Sequence, residues 1–253
     1  MKTNFFSIII TATVVLFLPG CDPEKEEFQS SNVTDYFPLQ VGKYITYRLD
    51  STVFTVQGRA EEVHSYQEKH EVNAQVTDNL GRPSYRIFRY IRDLAGTQAW
   101  RANGTYFITP LENSIEIIEN NLRIVRLISP IREGTTWKGN RYLATNPYGS
   151  QYTFSNDDAM ADWEFTIDSV NTSFVVNGTT IDSVITITQV NESINVPITD
   201  ARSYAFKSLS VDKFAKNIGL IYQELVLWEY QPNPGGTAYK VGFGIKRTMI
   251  DRN

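Results

Sequence analysis

The two histidines of the chain, His64 and His70, lie close in sequence to two glutamates, Glu62 and Glu68. The segment is β-prone, and alternate residues of a strand share a face, so we predict that all four side chains lie on one face. At a rise of about 3.4 Å per residue the two imidazole rings are about 20 Å apart, too far for one metal ion to bind both. We interpret the group as a charged, exposed strand face, on which a metal would need further ligands from neighbouring strands.

A second group of candidate ligands consists of Asn156, Asp157, Asp158 and Asp162. Carboxylate and amide oxygens on a loop are the ligands that Ca²⁺ prefers. The spacing lacks the glycine and the terminal glutamate of an EF-hand loop. Two interpretations stay open: a metal site at Asp157, Asp158 and Asp162, or a loop whose polar side chains are solvated.

Aromatic residues crowd one region of the chain, where Trp137, Tyr142, Tyr148, Tyr152 and Phe154 occur within a short stretch. Such side chains line ligand cavities or form platforms on which sugars stack, although in a β domain they more often pack in the core. We therefore consider Trp137, Tyr142, Tyr148 and Tyr152 as candidate ligand-binding residues, with core packing as the alternative.

The sequence identifies no catalytic machinery. It contains a single cysteine and no Gly-x-Ser-x-Gly motif, and its two histidines leave little to activate a serine. The pair Gly242 and Gly244 lacks the third glycine and the strand-to-helix context of a dinucleotide site. Paired carboxylates of a glycosidase remain open, because a chain with 28 acidic residues offers many such pairs. We predict no catalytic residue and no cofactor.

The single cysteine, Cys21, follows a leader-like segment. Lys2 supplies a positive start, residues 5–18 are apolar and uncharged, and the small residue Gly20 precedes the cysteine. The sequence Leu18-Pro19-Gly20-Cys21 resembles the lipobox of bacterial lipoproteins. That resemblance implies a signal peptide over residues 1–20, a diacylglycerol group on the Cys21 thiol and acylation of the new amine. Several acyl chains would attach the protein stably to a membrane. The alternative is a secreted protein whose cysteine follows the apolar run by chance.

Residues 21–35 are polar and poor in apolar side chains, which predicts an acylated, flexible tether. Within it, Lys25-Glu26-Glu27 resembles the export signal of surface lipoproteins in the Bacteroidota, although a solvated charge run explains it equally well. The resemblance implies an outer-membrane location, facing the periplasm or the cell surface.

Both ends of the remaining segment, residues 36–253, resemble small envelope lipoproteins of the Bacteroidota. The opening is Tyr36-Phe37-Pro38-Leu39-Gln40-Val41-Gly42-Lys43-Tyr44. The closing segments are Ile218-Gly219-Leu220-Ile221-Tyr222-Gln223-Glu224 and Trp228-Glu229-Tyr230-Gln231. This resemblance implies an envelope compartment and a β fold, and no particular activity.

Proteins of this bacterial group are O-glycosylated at Asp-Ser or Asp-Thr followed by an apolar residue. Three segments of this chain resemble that acceptor motif, which makes Ser51, Ser169 and Ser183 candidate glycosylation sites. The alternative is that Asp-Ser pairs cap turns where strands begin.

Composition supports a β domain and excludes some partners. Aromatic residues make up 13% of the 253 residues, which favours strands. The net charge of −4 and the absence of a basic cluster argue against a nucleic-acid partner. With Cys21 acylated, no thiol remains for a disulfide, so the core alone must stabilise the fold.

The elements predicted from the sequence are strands joined by tight turns. Strand-like segments cover residues 44–56 and 239–250, and turn signals occur at 79–83, 103–104, 120–121 and 177–178. Residues 203–216 fit either a helix or a strand. Glycines 242 and 244 inside the last strand indicate a bulge or sharp curvature. We predict an all-β fold, built as a strongly curved antiparallel meander sheet or a partly closed barrel.

An internal echo suggests two similar β halves that meet near residue 129. Pro38-Leu39-x-x-Gly42 before Tyr44 resembles Pro130-Ile131-x-x-Gly134 before Trp137. The alternative is a common turn that the chain uses twice.

The function predicted from these features is that of a non-enzymatic cell-envelope lipoprotein. Its β domain would bind a small molecule, a glycan or an envelope protein, and its acyl chains would bind the membrane. Two alternatives stay open: a hydrolase acting on polysaccharide or peptidoglycan, and a structural or adhesive surface module. An apolar cavity with few carboxylates would favour binding, whereas two inward carboxylates about 5–10 Å apart would favour a glycosidase.

Overall fold

The computed structural model describes residues 30–155, 157 and 159–253. The predicted signal peptide, Cys21 and most of the predicted tether lie outside these residues. Strands make up 59% of the chain, and the described residues hold no α-helix, only 3₁₀ helices at Val33–Tyr36 and Met160–Asp162. The predicted all-β fold is confirmed. The strands are β1 (Tyr44–Thr55), β2 (Ala60–Thr77), β3 (Pro83–Asp93), β4 (Arg101–Pro110), β5 (Ser114–Glu119), β6 (Leu122–Ile128), β7 (Thr136–Trp137), β8 (Phe165–Val176), β9 (Thr179–Ile194), β10 (Ala205–Ala215), β11 (Gly219–Gln231) and β12 (Tyr239–Arg252).

The twelve strands form one antiparallel sheet in the order β6-β5-β4-β3-β2-β1-β12-β11-β10-β9-β8-β7. The sheet curls until its two edges, β6 and β7, approach each other. The backbone N–H of Val125 donates to the carbonyl of Gly139 at 2.8 Å, and the indole N–H of Trp137 donates to the carbonyl of Val125 at 2.8 Å. The result is a nearly closed barrel, as the sequence predicted.

The strand order consists of two six-stranded meanders, β1–β6 and β7–β12, which join side by side through β1 and β12. The repeated turn precedes the first strand of each meander. Gly42 and Gly134 both have positive φ angles, 90° and 81°. Their N–H groups donate to the carbonyls of Val72 and Ile167 at 2.8 and 2.9 Å. The two turns therefore occupy equivalent places, while the similarity of the two halves as wholes stays a prediction.

Two of the predicted Asn-containing turns are confirmed as tight hairpins. Asn120 and Asn121 connect β5 to β6 with φ angles of 50° and 63°, and Asn177 and Gly178 connect β8 to β9 with φ angles of 48° and 77°. Positive φ at both central residues is the requirement of a type I′ turn, whose twist matches that of the flanking strands. The predicted turn near residues 79–83 also separates β2 from β3.

The turn predicted at Asn103 and Gly104 is wrong, because both residues lie inside β4. The chain turns earlier, where the Asp93 carboxylate accepts hydrogen bonds from the N–H groups of Thr97 and Gln98 at 3.2 and 2.6 Å. Gly104 has a φ of 115°, and a Cβ there would lie 2.7 Å from a guanidinium nitrogen of Arg89. The glycine therefore makes room for a neighbouring side chain.

The segment 203–216, which fitted either a helix or a strand, contains strand β10 (Ala205–Ala215). The alternation of its residues was therefore the correct signal, and the helical spacing was not. In the last strand, Gly242 is needed because two backbones come into close contact there. Gly242 has a φ of 126°, and a Cβ there would lie 2.1 Å from the carbonyl oxygen of Leu227 in β11.

The largest hydrophobic cluster lies in the barrel wall and interior, and it contains residues of both meanders. Ile87, Ile115 and Leu127 come from the first, and Phe165 and Phe214 from the second. Trp137 and Phe165 are in edge-on contact, with ring centroids 5.5 Å apart. Among the described residues, no helix has the length and apolar character needed to cross a membrane.

Candidate functional site

The interior of the barrel contains a cavity of about 480 Å³. It extends from the end where β1 begins towards the opposite end, where β5 turns into β6. Most of its wall is apolar, and strands of both meanders contribute to it. Representative apolar residues of the wall are Ile87, Ile108, Ile117, Ile124, Leu225 and Ile245.

Buried polar side chains from several strands form a layer inside the barrel, which we call the polar layer. Its first part is an ion pair between β12 and β2. The guanidinium of Arg247 donates through Nε to the Glu68 carboxylate at 2.6 Å, and His70 Nε2 lies 3.1 Å from the same oxygen. The other ring nitrogen of His70 shares a hydrogen bond of 3.0 Å with the Tyr106 hydroxyl. Burial alone raises the pKa of Glu68, but Arg247 and His70 outweigh burial and hold this pKa below its ordinary value.

A second buried carboxylate, Asp212 in β10, continues the polar layer. Arg126 in β6 donates to it at 2.7 Å, and the side-chain amides of Gln189 and Gln223 donate at 2.6 and 3.0 Å. Burial raises the pKa of Asp212, and its three donors oppose that rise. Since Gln223 also accepts a hydrogen bond from Arg247, the two ion pairs belong to one connected network.

The third arginine of the layer, Arg89 in β3, forms an ion pair through Nη1 with Glu119 at the end of β5. The Arg89 side chain is only 12% exposed, and its Nε has no hydrogen-bond partner among the residues that the structure describes. Burial raises the pKa of the nearby Tyr106, and the charge of Glu119 raises it further, while Arg89 and Arg247 oppose both effects. Arg89, Arg247 and Glu119 therefore all lie within electrostatic range of one phenol.

The aromatic side chains of Tyr148, Tyr152 and Phe243 form part of the cavity wall. Tyr152 stacks on Phe243 at a centroid distance of 5.2 Å, and Tyr148 contacts the same ring edge-on at 5.1 Å. Burial, followed by the charge of Glu119, raises the pKa of Tyr148 to about 12, so this hydroxyl stays protonated at neutral pH.

The structure separates the four candidate aromatic residues into three environments. Tyr148 and Tyr152 line the cavity. Trp137 lies in the core, where its indole joins the two sheet edges. Tyr142 is exposed, and the guanidinium of Arg141 lies 5.0 Å from its ring centroid. Only two of the four therefore share one site.

The candidate metal residues do not converge in the described part of the chain. Asp157 is buried and accepts a hydrogen bond from the N–H of Tyr148 at 3.1 Å. Asp162 is exposed and pairs with Lys138 at 2.8 Å, while Asp158 lies outside the described residues. No group of three or more His, Cys, Asp or Glu side chains suited to a metal ion occurs within residues 30–155, 157 and 159–253.

The predicted exposed face of β2 is right at one end of the strand and wrong at the other. His64 is exposed and pairs with Glu62 at 2.9 Å. Glu68 and His70 lie on the same face but inside the barrel, where Glu68 is only 1% exposed. The physical reason is that β2 is longer than the barrel interior. The first residues of the strand lie beyond the interior, while later residues of the same face lie inside it.

The candidate glycosylation sites Ser51, Ser169 and Ser183 are half-buried and lie within β1, β8 and β9. All three serines lie in the middle of strands, and not at the starts of strands, where turn-capping Asp-Ser pairs would lie. Glycosylation itself stays a prediction, as does acylation of Cys21.

The three interior arginines were missed by the sequence analysis, although a signal for them exists. Each continues an alternating apolar series on its strand, as in Ile87-x-Arg89, Ile124-x-Arg126 and Ile245-x-Arg247. An arginine in the apolar phase of a strand must be paired inside the fold or lie beyond its end. No protein-family model, curated protein or solved structure matches this chain.

Proposed function

We propose that this protein is an envelope lipoprotein that binds a small molecule with an apolar body inside its barrel. The observation that carries the proposal is the cavity of about 480 Å³ with a mostly apolar wall. Small-molecule sites typically occupy about 300–1,000 Å³ and combine such a wall with a few placed polar groups. The arginines, Tyr106 and His70 supply those groups here.

The arrangement of carboxylates supports binding over glycoside hydrolysis. Of the described carboxylates, only Glu119 is part of the cavity wall. Glu68 and Asp212 are buried and each pairs with an arginine. A glycosidase needs two carboxyl groups on either side of its substrate, and one of them must hold a proton at working pH. The lowered pKa of Glu68 is the opposite of what a general acid requires, and Asp212, whose pKa is raised by burial, lies outside the cavity wall.

The binding proposal is tested with N-phenyl-1-naphthylamine, an uncharged probe that fluoresces strongly in apolar surroundings. We expect saturable binding by the purified domain. Ile117→Trp and Ile245→Trp each add an indole to the cavity from different strands and should abolish most of this binding. Val63→Trp adds the same group at an exposed site of β2 and should leave it unchanged.

Each variant is checked for native circular dichroism and thermal midpoint, because overpacking alone destabilises a core. If folded Ile117→Trp and Ile245→Trp bind the probe as well as the wild type, the probe does not occupy the barrel and the proposal fails.

The lipoprotein part of the proposal rests on the lipobox resemblance and concerns residues outside the described range. Cys21→Ser should keep its leader or leave the membrane fraction, because a hydroxyl does not replace the thiol in the acyl transfer. More than one acyl chain gives a stable anchor, so the change in partitioning should be large. An unmodified Cys21 in the mature wild-type protein, detected by mass spectrometry, would show this part to be wrong.

A further inference from the structure

The charged residues of the cavity wall are almost all of one sign. The wall contains five cationic side chains and, among the described residues, one carboxylate, Glu119. This contrasts with the whole chain, whose net charge is −4. The cationic residues of the wall are Lys43, Arg89, Arg126, Arg247 and Arg252.

The two carboxylates that balance Arg126 and Arg247 do not belong to this wall. Asp212 is fully buried and Glu68 is 1% exposed, so a ligand in the cavity meets the guanidinium groups and not their partners. The buried carboxylates hold the arginines in place and keep their side chains ordered. A pre-organised cationic surface of this kind attracts an anion in a site where water screens charge poorly.

Arg89 is the arginine with a donor to spare. Its only ion-pair partner in the described chain is Glu119, which it reaches through Nη1, and its buried Nε has no acceptor there. A buried N–H without an acceptor is unfavourable, and the guanidinium that carries it is part of the cavity wall, where a ligand anion could pair with it. Gly104 makes room for this guanidinium, since a Cβ at that position would lie 2.7 Å from Nη2.

We infer that the ligand is an amphipathic anion, with one anionic head group bound to Arg89 and an apolar chain along the isoleucine and leucine side chains of the wall. This inference rests on the proposed function, because it assigns the chemical class of the molecule in the same cavity. The head group lies near the Arg89 guanidinium and Tyr106, and the chain extends towards Ile117 and Ile245.

The experiment compares decanoate with 1-decanol as competitors that displace N-phenyl-1-naphthylamine from the wild-type protein. The two molecules share a chain length and differ in the charge of the head group. Charge-assisted hydrogen bonds should make decanoate the stronger competitor by about tenfold or more. Equal displacement by both would overturn the anion inference and leave apolar binding intact, whereas failure of the probe itself to bind would refute the proposed function.

Variants then locate the head group. Arg89→Gln/Glu119→Gln removes both members of the ion pair, so the Glu119 carboxylate is not left without its cation, and it should erase the preference for decanoate. Arg89→Lys keeps the charge but lacks Nε, and should retain only part of the preference. Arg92→Gln is the matched control, because Arg92 lies on the same strand outside the cavity wall, 4.2 Å from the Trp100 ring centroid. A preference that survives in the folded double variant would show that Arg89 does not bind the head group.

Discussion

Replacing Arg247 with methionine would test whether the polar layer of the barrel depends on its ion pairs. Arg247 donates to Glu68 at 2.6 Å, and Glu68 is almost fully buried. Arg247→Met keeps a long side chain but removes the cation. Among the residues that the structure describes, Glu68 would then retain His70 at 3.1 Å and the side-chain amide of Asn103 at 3.3 Å. The variant therefore leaves a buried carboxylate without its main partner.

Removing one partner of a buried ion pair typically costs about 3–5 kcal/mol, because the remaining charge stays away from water.

The pH dependence of this cost follows from the pKa of Glu68. In the wild type this pKa is lowered, so the contribution of Glu68 to stability is complete above the unfolded pKa of about 4.3 and is lost only as pH falls towards the folded pKa. In Arg247→Met the folded pKa of Glu68 should rise above 4.3 instead, by burial. Protonation then relieves the penalty as pH falls, so the deficit should shrink from about pH 7.5 to about pH 5.

The assay is urea unfolding of the wild type and the variant, followed by tryptophan fluorescence at both pH values. Glu68→Gln/Arg247→Met should recover most of the lost stability, because it removes the buried charge together with its partner. Arg92→Met, which removes an arginine outside the cavity wall, should cost no more than about 1 kcal/mol and show no such pH trend. A deficit below about 1 kcal/mol at neutral pH, or one that grows on acidification, would refute the reasoning.

Three further substitutions test the turns and the closure of the sheet, each by its effect on the free energy of unfolding. Gly178→Val should cost about 1 kcal/mol or more, because a β-branched residue resists the φ of 77°, and an unchanged urea midpoint would contradict the type I′ assignment. Gly242→Ala should cost about 3 kcal/mol or more, because its Cβ would meet the Leu227 carbonyl at 2.1 Å, whereas Gly235→Ala meets no atom within 4 Å and serves as the control. Trp137→Phe should cost about 1–3 kcal/mol, because the carbonyl of Val125 loses its indole donor, and a cost near zero would show that this bond does not help to close the barrel.

The fold class was predictable because it depends on local properties of the chain. Turn residues that tolerate positive φ occur between β-rich runs, and the Asn120-Asn121 and Asn177-Gly178 hairpins follow from that chemistry alone. Glycine within the last strand also predicted strong curvature, and Gly242 lies where two backbones approach closely.

Local signals failed where the same residue type serves a tertiary purpose. Asn103-Gly104 has the composition of a hairpin turn, yet Gly104 lies within β4 and leaves space for Arg89 of the neighbouring strand. Likewise, Glu68 and His70 have the alternation of an exposed charged face. Whether a face is exposed depends on where along the strand the barrel ends, and strand alternation does not contain that information.

The sequence by itself determined the β class and the turns near residues 79–83, 120–121 and 177–178, while the signal peptide before Cys21 stays a prediction. Only the tertiary structure decided which charged side chains face the cavity and which residues pair there. Arg126 and Asp212 are 86 residues apart, and Arg247 and Glu68 are 179 residues apart. Arg126 and Asp212, on β6 and β10, meet because the sheet curls into a nearly closed barrel, whereas Arg247 and Glu68 lie on β12 and β2, which both pair with β1. Alternation places an arginine on one face of its strand, but the strand order and the closure of the sheet determine the carboxylate that it meets and the space left inside the barrel.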